Sequence, residues 1–211
     1  MPNQQTTSRK LTGTTPILRT RDATSGFSLI EVLVSIVVLS FGLLGMVGMQ
    51  AAALHANREA RLQSAGIVLA RELAEMIRGN TAVGVLTSSN PYLVNVQTPL
   101  TATTPSYCLN VASGTCTDTT DIANAEMTEW LSRVDAELPG ARVVSCFDTT
   151  PFDSSSGLPK WSCSNTGTVI AIKLAWTRGS TNKANTGASA LERATDTNSV
   201  PSIVLQVTAA P

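Results

Sequence analysis

A long apolar run near the start of the chain dominates its hydrophobic pattern. Phe27 to Met49 forms a stretch of 23 residues with a single charge, Glu31. A stretch of this length can span the hydrocarbon core of a bilayer as an α-helix. No Asp, Glu, Lys or Arg follows until Arg58, whereas the segment before the run holds four basic residues and one acid: Arg9, Lys10, Arg19, Arg21 and Asp22. The positive-inside rule therefore predicts a cytoplasmic N-terminus, with the bulk of the chain outside.

The helical pattern continues beyond the apolar run. Residues 50–78 contain no proline, and Gly79-Asn80 is a stop signal, so one helix is predicted from Phe27 to Arg78. In its second half the apolar residues recur at steps of three and four, which places them on one face. They are Leu62, Ala65, Leu69, Leu73 and Met76. We expect this amphipathic half to pack on a globular head.

The remaining residues predict a small head of mixed structure. Residues 81–120 are rich in Ser, Thr, Asn and Pro and predict loops with one or two short strands. A second helix is predicted at Asp121–Leu138. The short strand candidates are Leu93–Val96 and Tyr107–Val111, and further strands are expected at Val143–Phe147, Val169–Trp176 and Ile203–Val207. The predicted fold class is α+β, with a long N-terminal helix, transmembrane and then amphipathic, packed on a small antiparallel sheet with a second helix.

Alternation along one predicted strand assigns its faces. Ile170, Ile172, Leu174 and Trp176 fall on one side, and Ala171, Lys173 and Ala175 fall on the other.

Composition removes several classes of function. The 211 residues carry 15 basic and 15 acidic side chains, so a nucleic-acid partner is not expected. With a single histidine, His55, the chain offers no His-rich metal site and no obvious Ser/His/Asp triad. No phosphate-binding, HExxH or G-x-S-x-G string is present. We therefore predict a protein that is not an enzyme and has no cofactor or metal.

The pairs of acidic residues in the chain do not predict a calcium or catalytic site. Asp118 with Asp121, and Asp148 with Asp153, lie in polar turn sequence without the glycine and spacing of an EF-hand loop. They are interpreted as solvated turns.

Four cysteines follow the predicted span and would lie in an oxidising compartment, where disulfides form. They are Cys108, Cys116, Cys146 and Cys163, and three connectivities are open to them. Proximity in sequence favours Cys108 with Cys116 and Cys146 with Cys163. Zinc sites prefer closer pairs of the C-x-x-C kind, so a metal cluster is the less favoured reading. Two such bridges would stiffen an exposed head.

The junction between the basic leader and the apolar run carries the most specific string in the chain. Ser25-Gly26-Phe27-Ser28-Leu29-Ile30-Glu31-Val32 resembles the prepilin peptidase site of type IV pilins and pseudopilins. The resemblance implies cleavage between Gly26 and Phe27, N-methylation of Phe27, and Glu31 as the fifth residue of the mature chain. A glycine before the cut lets a peptidase approach the backbone closely.

A carboxylate in a membrane helix needs a compensating partner. At the start of the helix, Glu31 would be stabilised by the macrodipole and by the free ammonium of Phe27, on its own subunit or on a neighbour. The carboxylate would then set the register of assembly. A secretory signal peptide ending near Ala51–Ala53 and a plain single-pass anchor are the alternatives. The apolar run is longer than the usual signal core of about 7 to 15 residues, and neither alternative explains Glu31.

Three glycines interrupt the apolar run at every third position: Gly42, Gly45 and Gly48. Each lowers helix propensity by roughly 1 kcal/mol relative to alanine. In related pilins this part of the helix loosens during filament packing, and the glycines would permit that here, although this chain lacks the proline found in many relatives. Close helix packing in the membrane is the alternative interpretation.

A further resemblance covers the layout of the head. The strings Trp130-Leu131 and Leu138-Pro139-Gly140, followed by a strand with cysteine and a strand ending in tryptophan, are similar to minor pilins called PilV, or type IV pilus modification proteins. This implies a structural subunit for pilus assembly, with expected roles in adhesion and twitching motility. Its partners would be the prepilin peptidase, other major and minor pilins contacted through the N-terminal helix, and the inner membrane before assembly.

The expected organisation follows from these assignments. It consists of a cleaved leader at 1–26, a transmembrane half-helix at 27–49, an amphipathic half-helix at 50–79 and a head at 80–211. The mature protein would be a single-pass inner-membrane protein with a periplasmic head, and would later lie in a surface pilus. A pseudopilin of a type II secretion system and a membrane-tethered periplasmic binding domain are the two alternative functions.

Overall fold

The computed structural model describes residues 26–110, 114–182 and 184–209. The predicted leader lies outside these residues except for Gly26. The chain divides into two compact units, one ending at Gln50 and one beginning at Ala51. Helix α1, Leu29–Gly79, contributes to both units and has nearly the predicted bounds. By length and composition, it is the one helix in the described part of the chain that could cross a membrane.

The second unit holds the remaining secondary structure. Helices α2 and α3 are Thr81–Gly84 and Thr119–Glu137, and a short 3-10 helix covers Gly187–Ala190. The strands are β1 Val94–Gln97, β2 Arg142–Phe147, β3 Val169–Ala175, β4 Arg178–Gly179, β5 Leu191–Glu192 and β6 Ile203–Thr208. The main sheet is antiparallel in the order β1-β2-β3-β6, and β4 pairs with β5 separately. The predicted α+β class is confirmed.

One hydrophobic cluster joins α1, α3 and one face of the sheet. The buried side of α1 continues the predicted stripe with Leu69, Leu73 and Ile77. Trp130 of α3 is fully buried, and its indole Nε1 donates to the carbonyl oxygen of Leu69 at 3.0 Å. This bond satisfies the ring nitrogen inside an apolar core. The predicted apolar face of β3 belongs to the same cluster, so α1 and α3 cover that face of the sheet.

A glycine brings α1 close to the last strand. A Cβ at Gly66 would lie 2.7 Å from Cδ1 of Ile203 and 2.9 Å from Cζ3 of Trp176. Because such separations are shorter than van der Waals contact, a side chain here would force the helix away from the sheet.

Two local expectations differ from the structure. The segment 107–111 was a candidate strand, but residues 107–110 form a turn. The Asn110 amide donates to the Tyr107 carbonyl oxygen at 2.9 Å and closes this turn. Val111 lies outside the described residues. The β4–β5 pair was not predicted, because strands of two residues are too short to show a period.

Candidate functional site

The first turn of α1 carries an exposed carboxylate, that of Glu31. The amides of Glu31 and Val32 donate to the carbonyl oxygen of Ser28 at 3.0 and 3.3 Å, which closes the first turn. Phe27 is 84% exposed, and a Cβ at Gly26 would meet nothing within 4 Å. The predicted cleavage bond thus lies in open backbone just before the helix. Glu31 is placed where the dipole at a helix start favours negative charge.

Glu31 also stands out among the polar groups of the apolar half-helix. The hydroxyl of Ser35 donates to the carbonyl oxygen of Glu31 at 2.7 Å, and that of Ser40 donates to the carbonyl oxygen of Ile36 at 2.7 Å. Such back-bonding satisfies serine hydroxyls within the helix. The Glu31 carboxylate makes no hydrogen bond or ion pair within the described residues. It is therefore the group in this segment that most needs an external partner.

The apolar side chains around Glu31 are uncovered in the single chain. Large hydrophobic residues from Phe27 to Met49 are all exposed, and Gly42, Gly45 and Gly48 have open space around them. The helix is continuous through the three glycines. A surface of this kind needs lipid or other helices around it.

Both disulfides join cysteines that are neighbours in sequence. Cys108 bonds to Cys116, with their Cα atoms 5.0 Å apart, and Cys146 bonds to Cys163, with Cα atoms 6.3 Å apart. This is the connectivity that the sequence favoured. It supports the expectation of a stiffened head in an oxidising compartment.

The second disulfide fastens a segment over the other face of the sheet. We call residues 148–165 the covering segment. Besides the Cys146–Cys163 bond, it places Trp161 against the Arg142 guanidinium, whose central carbon lies 4.3 Å from the ring centroid. By register, Arg142, Cys146 and Lys173 share one face of the sheet. The face that carries Lys173 is therefore covered as well.

A buried ion pair lies under the covering segment. Lys173 and Asp148 are both fully buried, and Nζ of Lys173 donates to Oδ2 of Asp148 at 2.6 Å and to the carbonyl oxygen of Ser162 at 2.7 Å. Oδ1 of Asp148 accepts from the amides of Thr150 at 3.0 Å and Ser164 at 3.2 Å. The interpretation of Asp148 as part of a solvated turn was wrong. A lysine between Ile172 and Leu174 was the sequence signal that a carboxylate lies opposite.

The protonation of Asp148 reflects competing effects. Burial by itself would raise the pKa of this carboxyl, but the hydrogen bonds from Lys173, Thr150 and Ser164 outweigh it and leave the pKa below its ordinary value. The group is therefore held as a carboxylate, which the buried ammonium requires.

Donor atoms of Cys146, Asp148 and Cys163 lie within 4.8 Å of one another, as in some metal sites. The two sulfurs are bonded to each other, so neither is a thiolate ligand. The residues present do not fit a metal centre.

The other three acids serve local structure. Asp118 caps α3 by accepting from the amides of Thr120 and Asp121, each at 2.8 Å. Hydrogen bonds from Thr117 lower the pKa of Asp121, and bonds from Ser155 and Ser156 lower that of Asp153. Asp153 lies in a turn, as the sequence predicted, whereas Asp118 and Asp121 lie at the start of α3.

Comparisons with known proteins match the first part of the chain. Residues 21–47 match the prokaryotic N-terminal methylation motif, and residues 48–128 match the family described as type IV pilin Tt1218. No curated protein and no solved structure matches the chain. Two consecutive segments of the chain are therefore similar to an N-terminal methylation motif and to a type IV pilin family. That family consists of structural subunits and not of enzymes, in agreement with the prediction from sequence.

Proposed function

We propose that a chain with this methylation motif and pilin domain is a minor pilin, which is cleaved between Gly26 and Phe27 and assembled through α1 into a type IV pilus. One observation carries the proposal. The carboxylate of Glu31 lies in the first turn of α1, as the fifth residue of the expected mature chain, and it is the one charged group in the apolar half-helix 27–49. Within the described residues it has no hydrogen-bond or ion-pair partner.

Physical chemistry links this carboxylate to assembly. A charge at the centre of a bilayer costs roughly 2.5 to 3.5 kcal/mol on insertion scales. Cleavage would create an ammonium at Phe27 close to Glu31, and this ammonium or that of a neighbouring subunit would neutralise the carboxylate. A helix with an unpaired Glu31 would be disfavoured beside other apolar helices. The pair would therefore select one axial position for each incoming subunit.

The expected topology fits the chemistry of the head. Two disulfides in the second unit are suited to an oxidising compartment outside the cytoplasm. The basic leader would remain on the cytoplasmic side, where a prepilin peptidase cuts it. The protein would then remain anchored in the inner membrane until it is assembled into the filament.

Processing is tested by the mass and the N-terminal sequence of the protein purified from membranes of a host with a prepilin peptidase. We expect a chain that begins at Phe27, with one added methyl group. A chain that still begins at Met1, or one that begins near residue 54, would refute the pilin pathway.

Assembly is tested by Glu31→Ala, with Ser35→Ala as the matched control on the same helix. We expect the Glu31 variant to be inserted and cleaved but missing from sheared surface filaments, because its ammonium partner loses the carboxylate. The Ser35 variant should assemble normally, since its hydroxyl bonds only within the helix. Normal incorporation of the Glu31 variant would favour a tethered binding domain.

A minor pilin and a type II secretion pseudopilin are distinguished by the filament in which the protein is found. The strings shared with PilV do not decide it, because Trp130, Leu131 and Leu138 are buried core residues that any similar head would need. We expect the protein in sheared type IV pili and expect its deletion to reduce piliation, adhesion or twitching. Loss of secretion with normal pili would identify a pseudopilin.

A further inference from the structure

In the described part of the chain, the main sheet ends on both sides in a strand without a further partner. The order β1-β2-β3-β6 leaves β1, Val94–Gln97, at one edge and β6, Ile203–Thr208, at the other. Neither strand contains a charged residue, a proline or a glycine. Natural proteins often place charges or proline on open edges, because an open edge pairs readily with another strand. The two edges of this sheet lack that protection.

The hydrogen-bond pattern of the sheet identifies the backbone groups of β6 that point outward. The Asp148 amide donates to the Val169 carbonyl oxygen at 2.9 Å, so Val169 bonds toward β2. Successive residues of an antiparallel strand bond to opposite sides. Ile170 therefore bonds toward β6, where its partner is Val207. By the same alternation, the outward-pointing residues of β6 are Val204, Gln206 and Thr208.

The outward groups of β1 follow from the same reasoning. The Thr98 amide donates to the Ala141 carbonyl oxygen at 2.9 Å, in continuation of the β1–β2 register. Thr98 therefore bonds toward β2, and by alternation Asn95 and Gln97 direct their amides and carbonyls outward. Within the described residues, no hydrogen bond reaches the outward backbone groups of either strand. Each edge thus offers a row of donors and acceptors with the spacing that an added strand matches.

The side chains of the two edges are complementary to each other. On the face covered by α1 and α3, Leu205 and Val96 are half-buried apolar residues that pack against the core cluster. On the opposite face, Gln206 and Asn95 present exposed amides. If Leu205 lies opposite Val96 of a second copy, Gln206 lies opposite Asn95 of that copy. Apolar side chains then meet apolar ones, and amides meet amides, with no charge between them.

The topology gives this pairing the right direction for subunits that share an orientation. Each neighbouring pair in the order β1-β2-β3-β6 is antiparallel, so β1 and β6 run in opposite directions. When two heads have the same orientation, β1 of one therefore runs antiparallel to β6 of the other. Subunits of one filament share such an orientation. A contact between β6 and β6 of another copy would instead need two heads related by a two-fold axis.

We propose that β6 of one subunit pairs with β1 of a second copy of this chain, so that the antiparallel sheet continues from head to head. The hydrogen-bonded residue pairs are Gln206 with Asn95 and Val204 with Gln97. Each pair exchanges two backbone hydrogen bonds. The contact is small, and the proximity of neighbours that are held by α1 strengthens it. The proposal rests on the proposed function for the common orientation and adds a contact between heads to the contact through α1.

Proline substitutions that remove one outward amide from each edge test the proposal. Gln206→Pro blocks β6 and Asn95→Pro blocks β1, and the fold should persist because proline is tolerated on edge strands where the amide faces outward. Gln206→Ala and Asn95→Ala are the matched controls, since they shorten the same side chains and keep the amides. Sedimentation velocity of the full chain in detergent, at micromolar and millimolar protein concentrations, measures the association. Any association through α1 is common to all variants, so differences between proline and alanine variants report on the edges.

The expected result includes a complementation between the two blocked variants. The wild type and both alanine variants should self-associate, and each proline variant alone should do so about tenfold more weakly, the scale of one lost hydrogen bond. An equimolar mixture of Gln206→Pro and Asn95→Pro should recover the wild-type affinity, because the first variant keeps a free β1 and the second a free β6. The mixture should stop at heterodimers, since the remaining edges are blocked.

Several outcomes would overturn the proposal. They are a wild type that does not associate at millimolar concentration, equal association of the proline and alanine variants, and a mixture no stronger than either proline variant alone. An effect of Gln206→Pro without one of Asn95→Pro would also overturn it, because β6 would then pair with something other than β1.

Hydrogen exchange of the wild-type chain is a second measurement that needs no substitution. As the protein concentration rises, we expect slower exchange at the outward amides of both edges, which are those of Val204, Gln206, Asn95 and Gln97. Unchanged exchange at either edge would contradict the pairing. Cleavage before Phe27 and the assembly defect of Glu31→Ala do not depend on these edges. Failure of the edge contact is thus distinguishable from failure of the proposed function.

Discussion

Replacing Asp148 by asparagine would leave a buried ammonium without its counter-ion. Lys173 is fully buried, and in Asp148→Asn only the carbonyl of Ser162 would remain as a full-strength acceptor. Breaking a buried ion pair from one side costs about 3–5 kcal/mol. For a domain of this size, each kcal/mol lowers the unfolding temperature by about 2–4 °C, so a fall of roughly 6–20 °C is expected.

The expected effect depends on pH in a defined direction. Because the pKa of Asp148 is lower in the folded protein than in the unfolded chain, the unfolded chain binds the proton more readily. The carboxylate therefore stabilises the fold above the unfolded pKa of about 3.9, and this contribution is lost as the pH falls through the folded value. The difference between the wild type and Asp148→Asn should be constant near neutral pH and should shrink below about pH 4.

Tryptophan fluorescence during thermal unfolding of the full chain in detergent, with both disulfides intact, measures this difference. All three tryptophans lie in the second unit, so the signal reports on the head. Asp153→Asn is the matched control, because Asp153 belongs to the same covering segment but binds only neighbouring serines. The double variant Asp148→Asn/Lys173→Met should recover part of the loss, since it removes both charges. A loss below 1 kcal/mol in Asp148→Asn, or an equal loss in Asp153→Asn, would refute the reasoning.

Three further tests of the stability of the head use the same unfolding measurement. Gly66→Val should lower the free energy of unfolding by roughly 1–3 kcal/mol through overpacking. Gly48→Ala is the control, because Gly48 has open space around it, and it should leave the unfolding of the head unchanged. Equal effects of the two substitutions would contradict the close contact of Gly66 with Ile203 and Trp176. Asp118→Ala should lower the free energy of unfolding by about 1 kcal/mol, because it removes the cap of α3, whereas Asp118→Asn should retain most of the wild-type stability. Equal stability of Asp118→Ala and the wild type would show that the cap does not stabilise the head. Cys146→Ser with Cys163→Ser should cost roughly 3 kcal/mol, and an unchanged midpoint would mean that other contacts suffice to hold the covering segment.

The helices and the main strands could be predicted because each is long enough to show a period. The spacing of Leu69 and Leu73 fixed one face of α1, and both residues are fully buried in the core. The alternation around Ile172 and Leu174 likewise assigned the face of β3 that α1 and α3 cover. The N-terminal site could be recognised for a similar reason, since its residues form one continuous string.

The buried ion pair could not be predicted in this way. Alternation placed Lys173 on the face opposite Ile172 and Leu174, but the covering segment that buries it has no periodic pattern. Its partner Asp148 lies 25 positions earlier. Sequence spacing carries no information on contacts between segments that are so far apart.

The contact of Gly66 with Ile203 has a consequence for how the head is made. The two residues are separated by most of the head's sequence, and Gly84 similarly approaches Ala209, where a Cβ would lie 2.9 Å from the alanine side chain. Translation must therefore pass Ile203 before α1 can be covered on this side. A chain that stops early would keep the apolar face of α1 uncovered, which is the kind of surface that chaperones and proteases recognise. Chains that end before Ile203 would thus be open to degradation.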